Sequence, residues 1–362
     1  MTHKEKNNSP SLTHGGDWAG FAMEYGKEPL DFSMNVNPLG MSMHVRYALS
    51  KAGATADRYP DPLCRDLRKS LSTHESVPSD WIFCGNGAAD IIFRLAQAIV
   101  PKKMLVTAPT FSEYETAFSG CGWEVEHYFL DEGREFRVDD SILDVINENT
   151  HVVFLCEPNN PTGVTTGRNL LVKILKHCQK TNTMLIIDEC FNGFLPAPKD
   201  HSMIDYLGDY ENLVILKAFT KLYGMAGVRL GYCLCSNKAL VNTLYSAGAP
   251  WNVSSLAQAA GVAALEDEHH ARVGKTIIEQ ERPWLRNSLR ELGIRKIYGE
   301  ANYLFFQSVP GLDTNLRERG ILIRNCDNYH GLAFDWYRIA IKKHDDNMKL
   351  IDAMREVLKN EG

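Results

Sequence analysis

Leu213-Val214-Ile215-Leu216-Lys217-Ala218-Phe219-Thr220-Lys221 is the stretch that decides the fold of this chain. Its four leading apolar residues predict a strand, and Lys221 follows near the strand's end. An amine held there can form a Schiff base with an aldehyde cofactor. A single lysine is more often a solvated surface residue, so Lys221 gains this meaning only from the other segments of the sequence.

A second strand-like run, Met184-Leu185-Ile186-Ile187-Asp188-Glu189-Cys190, ends in two acids. We expect a buried strand that delivers the Asp188 carboxylate to the C-terminal edge of a sheet. A carboxylate there can pair with the protonated ring nitrogen of a pyridoxal cofactor, which keeps the ring electron-withdrawing. A helix N-cap or a metal ligand explains this segment equally well when it is taken alone.

Two turns add to this pattern. Pro158-Asn159-Asn160-Pro161-Thr162-Gly163 follows an apolar run, and an Asn amide there can donate to a ring hydroxyl or a substrate carboxylate. Gly85-Asn86-Gly87-Ala88-Ala89-Asp90 opens a helical run that Pro101 is expected to stop, and its free backbone N–H groups suit a phosphate. Each turn alone is weak evidence, because Asn, Pro and Gly favour turns and many helices begin after glycine.

The composition restricts the class of protein. The chain has 362 residues, 44% hydrophobic and 23% charged, which predicts two domains with a substantial core. Its net charge of -6 provides no basic surface for nucleic acid, and no apolar run approaches the roughly 20 residues of a membrane span. Nine cysteines without a Cys-x-x-Cys pair, and a polar start without a signal-peptide core, favour a reducing cytoplasm. We expect no metal site, since His269 and His270 lie in a polar helical stretch typical of a solvated face.

The order of elements predicts an α/β fold. From Trp81 to Cys235 strand-like runs alternate with helical patterns, which is typical of a mainly parallel sheet covered by helices. These runs are 104–107, 152–156, 185–187, 214–216 and 232–235. Long helices from about Leu256, runs at 301–306 and 336–341, and a final helix from Asp345 predict a smaller α+β domain. We expect residues 1–50 to form an N-terminal arm joining the small domain, 51–255 the large domain, and 256–362 a linker helix and the small C-terminal domain.

Taken in order, the phosphate-loop turn, the Asn-Pro turn, Asp188, Lys221 and Arg229 resemble the fold-type I pyridoxal-phosphate enzymes. This resemblance implies an α/β protein with a mainly parallel seven-stranded sheet in a large domain and a smaller α+β domain. It also implies pyridoxal 5'-phosphate as the cofactor and a homodimer as the assembly.

The outer motifs resemble one branch of this family. They are His14-Gly15-Gly16, Asp31 to Met41, Arg58 to Asp61, Pro250 to Val253, Ala301 to Leu304, Ile321 to Leu332 and Tyr337 to Ile341. From about Leu12 onward the chain is similar to the L-threonine-O-3-phosphate decarboxylases of cobalamin biosynthesis, with histidinol-phosphate aminotransferases as nearest neighbours. The resemblance implies a carboxy-lyase that converts L-threonine O-3-phosphate to (R)-1-amino-2-propanol phosphate and carbon dioxide.

The resemblance also implies roles for residues at matching positions, with Lys221 as the catalytic residue. The positions implied to bind the cofactor are Ala88, Ala89, Phe111, Asn160, Asp188, Thr220, Lys221, Arg229 and, from a second subunit, Tyr59. The positions implied to bind the substrate, a small phospho-amino acid, are His14, Asn35, Asn160, Arg324 and Arg338. Arg338 is expected to clamp the substrate carboxylate, and Arg324 and His14 to meet its phosphate.

Phe191 departs from the pattern of many aminotransferases, which have a tyrosine three residues after the aspartate. Without that hydroxyl, Asn160 is expected to be the main donor to the ring oxygen, and a phenylalanine here is similar to the decarboxylases. Two other activities stay open, namely transamination of histidinol phosphate and decarboxylation of another phospho-amino acid such as L-serine phosphate. A protein that binds a partner without turnover also stays open, although the retained Lys221, Asp188 and Arg338 weigh against it.

Overall fold

The structure is a computed structural model, and it describes residues 14–360. The strands are β1 (Leu30–Asp31), β2 (Ile82–Gly85), β3 (Lys103–Ala108), β4 (Glu124–Phe129), β5 (Val152–Cys156), β6 (Met184–Asp188), β7 (Leu213–Ala218), β8 (Gly231–Leu234), β9 (Ile297–Tyr298), β10 (Tyr303–Gln307), β11 (Ile321–Leu322), β12 (Arg324–Asn325) and β13 (Trp336–Ala340). The helices are α1 (Trp18–Tyr25), α2 (Met43–Gly53), α3 (Arg65–Glu75), α4 (Gly87–Ala98), α5 (Glu113–Gly120), α6 (Ile142–Val145), α7 (Arg168–Lys180), α8 (Pro198–His201), α9 (Phe219–Leu222), α10 (Lys238–Ser246), α11 (Ser255–Glu266), α12 (Glu268–Glu291), α13 (Leu312–Glu318) and α14 (His344–Asn360). Within the described range, none of these helices combines the length and the apolar character needed to cross a membrane.

A seven-stranded sheet with the order β2-β8-β7-β6-β5-β3-β4 forms the centre of the molecule. Neighbouring strands are parallel from β7 to β4, whereas β8 runs antiparallel to both of its neighbours. Cys156 lies opposite Asp188, and Asp188 lies opposite Leu216, so the C-terminal ends of the central strands meet at one edge. This is the mainly parallel sheet that the sequence predicts.

Helices cover both faces of this sheet because its central strands are apolar on both sides. Successive residues of a strand face opposite sides, and β6 shows the consequence. Leu185 and Ile187 belong to one buried cluster with Leu67 of α3 and Leu175 of α7. Ile186 belongs to another, with residues of α4 and α5. The middle of the sheet is therefore held by packing from two sides.

A further core surrounds a four-stranded antiparallel sheet with the order β12-β13-β10-β9. Phe306 and Ile339 of this sheet pack in one buried cluster with Ile278 of α12 and Leu350 of α14. The N-terminal segment reaches the same region, because β1 pairs in parallel with β11. The three-part division of the chain stays a prediction, and its residues 1–13 and 361–362 lie outside the described range.

Two strands of the large sheet were not predicted from the sequence. β4 reads Glu-Val-Glu-His-Tyr-Phe and lies at the edge of the sheet with none of its residues buried, so its polar composition conceals it. β2 is only four residues long. Edge position and short length therefore account for the missed strands.

Helix α4 ends at Ala98, three residues before the proline that was expected to stop it. Ile99 is already extended, with φ -101° and ψ 138°.

Ile186 offers a test of the central packing. The residue is fully buried in the middle of the sheet, so Ile186→Ala should lower the free energy of unfolding by about 2–5 kcal/mol and Ile186→Val by about 0.5–1.5 kcal/mol. Urea denaturation followed by circular dichroism measures both changes. The control Lys176→Ala, an exposed change on α7, should stay within about 0.5 kcal/mol of the wild type. An Ile186→Ala variant of unchanged stability would contradict this packing.

Candidate active site

The C-terminal edge of the large sheet is where most of the predicted site residues meet. β5 ends at Cys156 and β6 ends at Asp188, and these two residues are paired across the sheet. β7 ends at Ala218, and helix α9 begins directly after it, which places Lys221 beside the same edge. Ligands of open α/β sheets bind outside the carboxyl ends of the strands, so this edge is the candidate site.

Two hydrogen bonds hold the buried carboxylate of Asp188. The Tyr114 hydroxyl donates to Oδ2 over 2.7 Å, and the backbone N–H of Cys190 donates to Oδ1 over 2.9 Å. The Tyr114 ring also stacks on Phe154, with ring centroids 3.9 Å apart. Burial and the charge of Asp188 raise the pKa of Tyr114 well above its usual value, so its hydroxyl remains a donor. The two donors therefore fix the position of a carboxylate that can pair with a cationic ring nitrogen.

Lys221 carries an amine of reduced basicity. Burial, together with the positive charge of Arg338, lowers the pKa of Lys221 from 10.5 to about 8. The amine lies 5.2 Å from the centre of the Phe191 ring, and Thr220 precedes it in α9. The Lys221 carbonyl accepts the backbone N–H of Asn37 over 2.9 Å. Since only a neutral amine is nucleophilic, this environment prepares Lys221 for Schiff-base chemistry near neutral pH.

The first turn of α4 lies against Arg229. Gly87 begins the helix with φ +82°, and a Cβ at this position would come within 2.6 Å of the Arg229 guanidinium. Ala88 and Ala89 follow in the same turn, and a Cβ on Gly231 would come within 2.6 Å of the Ala88 nitrogen. Helix N–H groups beside a guanidinium form a suitable cradle for a phosphate. Glycine at these two positions keeps the cradle accessible.

Arg338 is buried on β13 and joins segments that are distant in sequence. Its Nη1 donates to Asn160 Oδ1, and its Nη2 donates to the Ser33 carbonyl over 2.9 Å. The guanidinium lies 5.6 Å from the centre of the Tyr303 ring. Its Nε is buried and has no hydrogen-bond partner among residues 14–360. A buried charge is costly unless it is paired, so an anionic ligand would be stabilising here.

The segment that follows β1 runs between Arg338 and Lys221. Ser33 contacts Arg338 through its carbonyl, and the side-chain amide of Asn37 donates to the Leu222 carbonyl over 2.8 Å. Asn35 lies between Ser33 and Asn37 in this segment and is buried. Both polar atoms of the Asn35 amide lack a partner in the part of the chain that the structure describes. An unpaired buried polar group costs about 1–3 kcal/mol, so Asn35 is suited to binding a ligand.

Phe111, His14 and Glu113 lie together next to Tyr114. The Phe111 ring packs edge-on against Tyr114 at 5.5 Å, and the His14 ring lies 5.7 Å from Phe111. His14 Nε2 lies 2.7 Å from Glu113 Oε1. The sequence gives no sign of this pairing, because His14 and Glu113 are 99 positions apart.

Arg324 lies directly opposite Arg338 in the register of β12 and β13. Opposed side chains on an antiparallel pair share one face, with Cβ atoms about 4.5–5.5 Å apart, and like charges at such positions are destabilising. Arg324 Nη2 donates to Asn328 Oδ1 over 2.6 Å, and its guanidinium lies 5.4 Å from the Tyr329 ring. The opposed arginines therefore favour a ligand with more than one negative charge.

Tyr59 lies apart from these residues in the single chain. Its side chain is 80% exposed and stacks on Trp251, with ring centroids 4.6 Å apart. Trp251 is itself 45% exposed. The role of Tyr59 at the cofactor of a second subunit stays a prediction.

The structure thus gathers most of the predicted residues and adds some that were missed. Those at the sheet edge or bonded to it are Ala88, Ala89, Phe111, Asn160, Asp188, Thr220, Lys221, Arg229 and Arg338. Tyr114 and Ser33 were not assigned a role. Nothing in the sequence distinguishes Tyr114 from an ordinary core aromatic, and Ser33 acts through its backbone carbonyl, which residue type does not reveal.

Comparison with known proteins assigns the family. The sequence pattern of Aminotransferase class I and II matches residues 27–354. The chain belongs to this family. It is 36% identical over 352 residues to threonine-phosphate decarboxylase of Salmonella typhimurium, covering 95% of this chain and 96% of that protein. It is 27% identical over 341 residues to histidinol-phosphate aminotransferase of Methanococcus aeolicus, covering 91% and 90%.

A solved structure confirms the predicted fold class. The histidinol-phosphate aminotransferase of Clostridium acetobutylicum has a TM-score of 0.85 to this chain at 29% identity, covering 91% of this chain and 99% of that one. The predicted resemblance and the predicted cofactor, pyridoxal 5'-phosphate, are confirmed at the level of the family. The residues present fit this cofactor, because the buried Asp188 carboxylate, a weakly basic Lys221 and the glycine-lined cradle beside Arg229 each match one of its groups.

The pKa of Lys221 leads to a test of cofactor uptake. Because its pKa is lowered to about 8, the rate at which the cofactor-free protein takes up pyridoxal phosphate should rise with pH and level off above about pH 8. The visible absorbance of the Schiff base measures this rate. Lys221→Ala should show no such band, which controls for reaction at surface lysines. A midpoint near the usual lysine pKa of 10.5 would contradict the environment described here.

Proposed function

We propose that this protein is a pyridoxal-phosphate-dependent carboxy-lyase that converts L-threonine O-3-phosphate to (R)-1-amino-2-propanol phosphate and carbon dioxide, as in cobalamin biosynthesis. The observation that carries this proposal is the register of Arg324 opposite Arg338. A phospho-amino acid carries a carboxylate and a phosphate a few bonds apart, and two guanidinium groups on one face suit such a pair of anions. Burial raises the pKa values of Cys326 and Tyr329, and the positive charges of Arg338 and Arg324 partly offset both rises, so the two charges act on the same small region.

The comparisons favour the same reaction over its neighbour. Identity to threonine-phosphate decarboxylase of Salmonella typhimurium is 36%, against 27% and 31% for the histidinol-phosphate aminotransferases of Methanococcus aeolicus and Symbiobacterium thermophilum. The centre of the Phe191 ring lies 5.2 Å from the Lys221 amine. Many aminotransferases have a tyrosine, with its hydroxyl, at this position. These observations support decarboxylation, and the choice of reaction rests on the experiments below.

The residues of the chain divide the work of this reaction. When bound, pyridoxal phosphate supplies an electron sink for the bond that breaks at the substrate Cα. In the proposed reaction Asp188 maintains the positive charge at the ring nitrogen, and Asn160 donates to the ring oxygen. Arg338 would hold the substrate carboxylate and so would decide which bond at Cα is placed for cleavage. After carbon dioxide leaves, Lys221 Nζ donates a proton to the substrate Cα.

The reaction itself is tested by its products. Purified holoenzyme incubated with L-threonine O-3-phosphate should release one carbon dioxide for each amine phosphate formed, without a 2-oxo acid as acceptor. In parallel, histidinol phosphate with 2-oxoglutarate should give no glutamate above the level of Lys221→Ala. Glutamate formation without carbon dioxide would falsify the proposed reaction and establish the aminotransferase. Parallel assays with L-serine phosphate address the side chain, since one methyl group is worth only about 1–3 kcal/mol in a pocket.

Substitutions of Arg338 and Arg324 are expected to lower kcat/KM for different substrates. Arg338→Lys should lower kcat/KM about 10- to 100-fold for both L-threonine O-3-phosphate and unphosphorylated L-threonine, since a hydrogen bond to a charged group is worth about 1.5–3 kcal/mol. Arg324→Lys should lower kcat/KM for the phosphorylated substrate only. Steady-state assays with both substrates measure the contrast, and the exposed Arg295→Lys serves as the control. Equal losses on both substrates in Arg324→Lys would show that this arginine does not bind the phosphate.

A second candidate function is transamination of histidinol phosphate. The TM-score of 0.85 to the Clostridium acetobutylicum enzyme supports it, and two opposed arginines also suit the two carboxylates of 2-oxoglutarate, which accepts the amino group and becomes glutamate. We also propose a cytoplasmic homodimer in which Tyr59 reaches the cofactor phosphate of the partner subunit. The exposed stack of Tyr59 on Trp251 is the feature that supports this assembly.

A further inference from the structure

A cluster of two histidines and a glutamate lies outside the proposed active site. Glu115 is in the first turn of α5, His127 is on the edge strand β4, and His330 is in the loop between β12 and β13. The Nε2 atoms of His127 and His330 lie 3.0 and 3.3 Å from the same atom, Glu115 Oε2. The two imidazole rings have centroids 4.8 Å apart and are tilted by 45°. Three ligand-type atoms from three separate elements therefore converge on one point.

The spacing of these atoms is close to that of a metal site. Zinc bonds histidine nitrogen and carboxylate oxygen at about 2.0–2.2 Å, so two ligand atoms of a tetrahedral site lie about 3.3–3.6 Å apart. The observed nitrogen-to-oxygen distances of 3.0 and 3.3 Å nearly match this value, and all three candidate ligand atoms lie within 4.8 Å of one another. The side chain of His330 is 65% exposed, so its rotation can close the remaining distance to His127.

We propose that Glu115, His127 and His330 form a binding site for a divalent transition-metal ion of the zinc type. Two imidazoles and one carboxylate suit zinc and its neighbours, whereas calcium and magnesium prefer oxygen ligands. Three protein ligands leave the fourth tetrahedral position open for water or an added ligand. The expectation of no metal site considered only His269 and His270. The three residues of this cluster are far apart in the sequence and form no local ligand motif.

The position of the site gives it a consequence for the neighbouring pocket. A bound ion would fasten the loop between β12 and β13 to α5 and β4. That loop supplies Asn328 and Tyr329, which contact Arg324, while Tyr114 of α5 holds Asp188. The loop already fits closely against the sheet edge, since a Cβ on Gly331 would come within 2.9 Å of Phe129. Metal binding would therefore restrict the surroundings of Arg324, whichever reaction the enzyme catalyses.

Zinc binding by the holoenzyme tests this proposal. Tag-free protein treated with a chelator is titrated with zinc chloride in a calorimeter, and the wild type should bind one equivalent at this site. His127→Ala and His330→Ala should each weaken that binding by roughly 100-fold or more, because even an outer-shell partner of a metal ligand contributes about 10- to 100-fold. The control His269→Ala changes an exposed histidine of α12 and should bind as the wild type does.

A further variant separates loss of the ligand from loss of the fold. Glu115→Gln preserves the size of the side chain and its capacity to accept hydrogen bonds, but it removes the carboxylate ligand. It should retain the circular dichroism spectrum and the cofactor band of the wild type while losing the zinc equivalent. Unchanged zinc binding in all three variants would overturn the proposal, as would the absence of binding to the wild type at zinc concentrations on the order of 1 mM. Because metal binding is measured without substrate, its outcome is independent of the proposed reaction.

Discussion

The parallel arrangement of the central strands is the constraint on which the site depends. Strands β5, β6 and β7 lie side by side in one direction, so their C-terminal ends meet at a single edge. An aspartate that closes one strand and a lysine three residues beyond another are thereby brought to the same place. Their positions are held by packing on both faces of the sheet, and not by the flexible connections alone.

A buried charge connects this edge with the smaller sheet. Arg338 belongs to β13, yet it bonds to Asn160 beyond β5 and to Ser33 beyond β1. Its guanidinium contributes to the lowered pKa of Lys221, so a residue of one core adjusts the chemistry of a residue anchored in the other. The cost of burying this charge is offset by hydrogen bonds to polar groups, although Nε has no partner among residues 14–360.

The sequence predicted the elements that have strong local patterns. Largely apolar runs of three to five residues identified β3, β5, β6, β7 and β8 within one or two residues of their bounds. The edge strand β4 was missed because edge strands carry polar residues, which blunt pairing with other chains. The candidate site followed the same rule. Asp188 and Lys221 were identified because each closes or follows an apolar run, whereas Tyr114 was missed because its partner is 74 residues away.

By itself, the sequence determined which chemistry is possible, since the residue types and their order along the chain are enough to specify a cofactor family. The tertiary structure decided how those groups act on one another. The register of β12 on β13 places Arg324 opposite Arg338, and the packing of α5 on the sheet edge brings Glu115 to His127 and His330. Such pairings depend on strand register and on contacts between distant elements. A one-residue slip of register would turn each side chain of the strand to the opposite face of the sheet. No local pattern contains that information.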